Sequence, residues 1–116
     1  NKLLNNKVVL FTGSTNGAIT LEKSVEEFKY IEIFYADNDE TCSSVKVHDP
    51  NNKYVDLSTL ARWNSTFYIK QKRILISDNE ITNGNTTEVN FTTTPKININ
   101  TSANNIYITK IIGYTE

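Results

Sequence analysis

At 116 residues the chain fits one domain with one core, since area scaling lets a chain of this size bury roughly two thirds of its unfolded surface. A formal charge of −1 and a pI near 5.9 argue against the basic face that nucleic acid and anionic membranes require. No apolar run approaches the ~20 residues that span a bilayer, the first residues lack the apolar core of a signal peptide, and a lone cysteine, Cys42, rules out an internal disulfide.

Cys42 reads as a half-buried strand residue rather than a nucleophile. Methionine is absent, so Asn1 reads as an internal position and the chain as the C-terminal module of something longer. Val8-Val9-Leu10-Phe11 is a short apolar run, stopped by Gly13-Ser14-Thr15-Asn16-Gly17 and resumed at Ala18-Ile19-Thr20-Leu21; two such runs across a glycine-bounded turn predict a hairpin. Ser24-Val25-Glu26-Glu27 matches the S-x-x-E capping box, in which hydroxyl and carboxylate satisfy the free N–H groups of a helix start. Only one helical turn fits before β-branched residues take over, with Phe28 as a plug beneath it.

Tyr30-Ile31-Glu32-Ile33-Phe34-Tyr35 alternates, and both its faces are largely apolar. Such a strand is expected to be covered on both sides, by a loop or in a subunit interface; Tyr30, Glu32 and Phe34 are the candidate interface residues. Glu32, if buried, needs a partner such as Arg73 or Lys110. Asp37-Asn38-Asp39-Glu40 makes a polar turn into a returning strand with Val45 and Val47 on the core phase and Ser44, Lys46 and His48 on the solvent phase.

Asp49-Pro50-Asn51-Asn52 is a turn, because Pro sets its own φ and Asn tolerates the left-handed region. Tyr54 to Leu57 follows as strand, and 57–64 as loop. Phe67 to Ser77 is the longest strand candidate; Phe67 and Ile69 fall on one phase and Ile74 and Ile76 on the other, which predicts a β-bulge near Gln71-Lys72-Arg73. Val89-Asn90-Phe91 and Ile97-Asn98-Ile99 are short strands, and the apolar run Ile106 to Tyr114 closes the chain. A strand that apolar must be paired and covered, hence central. Short strands at turn-bounded intervals, with at most one or two helical turns, define an all-β fold: an antiparallel, jelly-roll-like β-sandwich spanning 1–116.

Chemistry-bearing groups are sparse. His48 is the only histidine, which leaves no paired histidines for a metal and no histidine base to spare for a triad. Asp37-Asn38-Asp39 opens like a calcium loop, yet the glycine position holds Cys42 and the twelfth holds His48, so the match fails. No metal or other cofactor is expected. Four N-x-S/T sequons, at Asn64, Asn85, Asn90 and Asn100, are what a chain rich in Asn and Thr produces by chance. The densest cluster is Arg62, Trp63, Asn64, Phe67 and Tyr68. Flat rings cover the C–H face of a sugar while amide and guanidinium bond its hydroxyls; the same groups suit a protein interface, and Trp63 alone also suits a core.

The runs Val9 to Gly13, Phe28 to Tyr35, Ser44 to Asn51, Phe67 to Lys70 and the closing Ile106 to Tyr114 resemble the C-terminal domain of tail-fibre and minor structural proteins of bacteriophages and prophages. The resemblance implies a β-rich knob at a fibre or baseplate tip, often a homotrimer, carried on the virion and adhering to a host-surface polysaccharide or teichoic acid. It supplies no catalytic residues. A non-enzymatic receptor-binding domain is therefore the leading expectation. A purely structural capping or attachment module and a glycan-degrading enzyme are the alternatives.

Overall fold

The computed structural model describes residues 6–63, 65–92 and 97–116, with backbone alone for Trp63 and Asn85. Among them run nine strands: β1 Lys7–Thr15, β2 Ile19–Thr20, β3 Tyr30–Asp37, β4 Cys42–His48, β5 Lys53–Trp63, β6 Thr66–Ser77, β7 Glu80–Phe91, β8 Ile97–Asn100 and β9 Ile106–Tyr114. They form two antiparallel sheets. One has the order β1-β9-β3-β4; the other runs β2-β7-β6-β5, with β8 added alongside β7.

The inner faces close one core. Leu10, Ile31, Ile33, Ile108 and Ile111 from the first sheet meet Leu57, Ile74, Ile76 and Ile81 from the second. Period-two alternation places these side chains, and each one fully buried contributes about 1.5–3 kcal/mol. The closing strand β9 lies between β1 and β3, central as its composition demands. Phe28 is buried beneath it, following a 3-10 turn at Val25–Glu27 whose N-cap Ser24 accepts from the Glu26 N–H. Gly113 permits this packing, because a Cβ there would lie 2.7 Å from the Phe28 ring.

Several local expectations are corrected. The two runs expected to form the first hairpin do not pair: β1 pairs with β9 and β2 with β7, so the glycine-bounded turn crosses between sheets. Residues 57–63, expected as loop, continue β5 in unbroken register with β6. β6 carries no bulge of its own. Its phase runs straight, with Lys70, Lys72, Ile74 and Ile76 all buried and Phe67 and Ile69 exposed on the other face; the register shift opposite Lys72 and Ile74 puts the extra residue in β7. Cys42 is exposed rather than half-buried. The turn at Pro50 forms as expected, with Asn52 at φ 59°.

β5, β6 and β7 have 11, 12 and 12 residues, against 7 to 9 in the strands of the first sheet. The second sheet therefore outruns its partner, and the molecule is long, 59 × 24 × 21 Å. At the overhanging end β8 is exposed along its whole length.

Candidate functional site

The step where the long sheet passes the end of the short one is built around Lys70. Its aliphatic stem lies on the inward phase of β6, and only 1 % of the side chain reaches solvent. A buried ammonium must be paired and hydrogen-bonded, and the β3–β4 turn supplies the partners. Lys70 Nζ lies 3.4 Å from Asp37 Oδ2, 2.8 Å from Asn38 Oδ1 and 2.6 Å from Asp39 Oδ2. Glu88 Oε1, on the neighbouring β7, stands at 4.0 Å. The triplet that opens like a calcium loop thus does enclose a cation, the chain's own ammonium. Among the described residues no group of three or more His, Cys, Asp or Glu is placed to hold a metal ion.

Asp37 is the hub. Its Oδ1 accepts from the N–H groups of Asp39 and Thr41, closing the turn, and its Oδ2 accepts from Thr59 Oγ1 at 2.8 Å and from Lys70. Burial pushes its carboxyl pKa upward; the hydrogen bonds from Thr59 and Thr41 and the charge of Lys70 outweigh that and hold it below the ordinary value. One carboxylate thereby locks the turn of the first sheet onto β5 and β6 of the second. Tyr35 adds a second cross-sheet tie, its hydroxyl donating to Ser58 O at 3.0 Å and accepting from Ser58 N–H at 3.3 Å.

Above this cluster opens a cleft of about 380 Å³ lined by Asn38, Asp39, Tyr68 and Glu88, within the range of small-ligand sites. Tyr68 forms one wall, its ring 5.7 Å from Lys70 Nζ. Asn105 holds Glu88 in place, donating from Nδ2 to Oε1 at 2.8 Å, while its own buried Oδ1 has no hydrogen-bond partner among the described residues. On the far side of Asp39 a second cleft is lined by Asp39, Thr41, Leu60, Ala61 and Arg62. The two carboxylates on the first cleft both face the Lys70 ammonium, Asp39 at 2.6 Å and Glu88 at 4.0 Å.

The Arg62–Tyr68 cluster is thereby divided. Tyr68 faces the first cleft and Arg62 borders the second, while Phe67 is 46 % exposed on the outer face of the sheet. The Arg62 guanidinium lies 5.5 Å from the Phe67 ring. Trp63 ends β5 opposite Thr66, and Asn64 lies outside the described residues. Asn38, Asp39 and Glu88 escaped sequence reasoning as site residues. The available signal was Lys70 and Lys72 on the same phase as Ile74 and Ile76, which demands polar partners from elsewhere in the chain.

Tyr30, Glu32 and Phe34 lie together on the outer face of the first sheet, each half-buried by its lateral neighbours. Tyr30 stacks on Tyr114 at 4.5 Å and touches His48. Glu32 accepts from the hydroxyls of Tyr114, at 3.2 Å, and Ser44, at 3.3 Å; these, rather than Arg73 or Lys110, are its partners, and Arg73 pairs with Asp56 instead.

The fold and the cleft define an all-β antiparallel sandwich with a polar, aromatic-walled recess at one end. No protein-family model matches the chain, and no curated protein or solved structure shows a significant match to it.

Proposed function

We propose that this chain is a non-enzymatic adhesion domain of a phage-type tail appendage that recognises a cell-surface glycan in the cleft between Tyr68 and the Asn38-Asp39 turn. The observation that carries the reading is the pairing, in one recess, of an aromatic wall with fixed hydrogen-bonding groups: Tyr68 on one side, Asn38, Asp39 and Glu88 on the other. A ring covers the apolar face of a sugar, and carboxylates and amides held in place by Lys70 and Asn105 accept from its hydroxyls without first being ordered. Three carboxylates share one ammonium there, so the recess is net negative. It favours neutral or amine-bearing sugars and repels the phosphate backbone of a teichoic acid.

The test is a glycan array of neutral, amine-bearing and anionic polysaccharides, followed by cell binding with Tyr68→Ala. Binding to the first two classes, reduced at least tenfold by Tyr68→Ala with the circular dichroism unchanged, is the expected result. Binding that Tyr68→Ala leaves intact removes the cleft, and a chain that ignores every glycan and every host cell removes the reading. The second reading, a structural attachment module, is favoured by the exposed apolar end of the long sheet.

A further inference from the structure

The overhanging end of the long sheet presents two rows of outward side chains set by the strand registers. One row runs across all four strands, Leu60 on β5, Ile69 on β6, Val89 on β7 and Ile99 on β8. The next runs from Arg62 through Phe67 and Phe91 to Ile97. Toward the body of the molecule the face turns abruptly polar, with Ser58, Gln71 and Thr87 in register. Arg62 is the single charged residue in the two rows, and it borders them at the β5 edge.

These are not scattered surface residues. Leu60 is 67 % exposed, Ile99 66 %, Ile97 60 %, Phe67 46 % and Ile69 41 %, and together they present roughly 500 Å² of mainly apolar surface, near the top of what the largest patch on a soluble monomer shows. A folding core would have buried them, and the opposite phase of β6 shows that this strand does bury its isoleucines where the first sheet covers it.

From this we infer that the apolar end of the β5-β6-β7-β8 face is an interface on which two copies of this chain stack about a two-fold axis. Three features select a second copy as the occupant. The face is almost without charge, so it offers nothing to an acidic or basic partner and is complementary to itself. Two such faces brought together remove about 1,000 Å² before any polar rim is counted, the lower bound for a specific interface, which corresponds to a weak dimer. A single self-complementary patch closes at two copies, whereas a ring of three needs two different patches on each chain. The face is distinct from the outer face of the first sheet that carries Tyr30, Glu32 and Phe34, and the pairing holds whether or not the cleft takes a glycan.

Sedimentation velocity over a concentration series tests it on the chain itself, on Ile69→Lys and Ile99→Lys, and on Val9→Lys as a control. Val9 is 45 % exposed on the other sheet. The expected result is a reversible dimer in the micromolar range that Val9→Lys leaves intact and either tip lysine weakens at least tenfold, with circular dichroism unchanged. A monomer at every concentration, a trimer, or a dimer indifferent to both tip lysines overturns the inference. Should a tip variant unfold, hydrogen exchange on the unaltered chain at low and high concentration decides: slowing at 58–63, 65–69, 87–92 and 97–100 but not in the first sheet supports the stack, and equal rates there refute it.

Discussion

Lys72 is the sharpest test of how this interior is built. It is 1 % exposed, and among the described residues its ammonium donates to neutral acceptors: Ile106 O at 2.9 Å, Asn16 O at 3.2 Å and Asn104 Oδ1 at 3.3 Å. Burial pushes its pKa down from 10.5 to about 8, since desolvation penalises the charged form. The folded chain therefore binds this proton less tightly than the unfolded one. Below pH 8 the cost is fully present; as pH rises from about 8 to 10.5 the unfolded chain holds more protons and stability increases. At ~1.36 kcal/mol per pKa unit, the gain between pH 7 and pH 10 is about 2 to 3 kcal/mol. Urea unfolding of the parent chain and of Lys72→Met over that range measures it, because the variant retains every other titrating group. The stability difference between the two should shift toward the parent by that amount. A difference constant with pH would refute the reasoning.

Two further substitutions test the packing between the sheets. Asp37→Ala removes the carboxylate that ties the β3–β4 turn to Thr59 and Lys70 and should destabilise by about 3–5 kcal/mol in chemical unfolding. Because its folded pKa lies below the ordinary 3.8, the part of this stability that depends on ionisation is present above pH 3.8 and is lost as pH falls through the folded value, so the gap between parent and variant should narrow in an acid titration. Gly113→Ala drives a methyl to 2.7 Å from the Phe28 ring and should cost about 1–3 kcal/mol, with rescue by Phe28→Leu in a double-mutant cycle; a neutral Gly113→Ala would mean that the Phe28 ring moves aside freely.

The sequence declares what is local. Alternation in Tyr30 to Tyr35 and in Ser43 to His48, joined by a four-residue polar turn, specifies the β3–β4 hairpin, because pairing partners adjacent in the chain leave few alternatives. The Gly13 to Gly17 segment looks equally like a hairpin turn, yet the choice between bending back and crossing to the other sheet lies with β7 and β9, some sixty and ninety residues away. β5 past Leu57 was hidden for a related reason: Ser58, Ala61 and Arg62 give no strand signal alone, and β6 holds them extended. In β6 itself the apparent phase break came from assuming that isoleucine points inward and lysine outward, which Lys70 and Lys72 invert. Of the cleft, Tyr68 was visible as an aromatic near a turn, whereas Asn38, Asp39 and Glu88 acquire a role only through Lys70, which draws the β3–β4 turn and β7 together.

The overhang divides the molecule's obligations. Where the sheets overlap, the buried side chains of the two pack into one shared core, and the Lys70 cluster ties the sheets at its end. Past it the long sheet is one layer thick, so residues 60–63, 65–69, 89–92 and 97–100 answer to the outside world. Substitutions there change the surface the tip presents without opening a cavity in the shared core, so shape at the tip and stability of the body are separable properties.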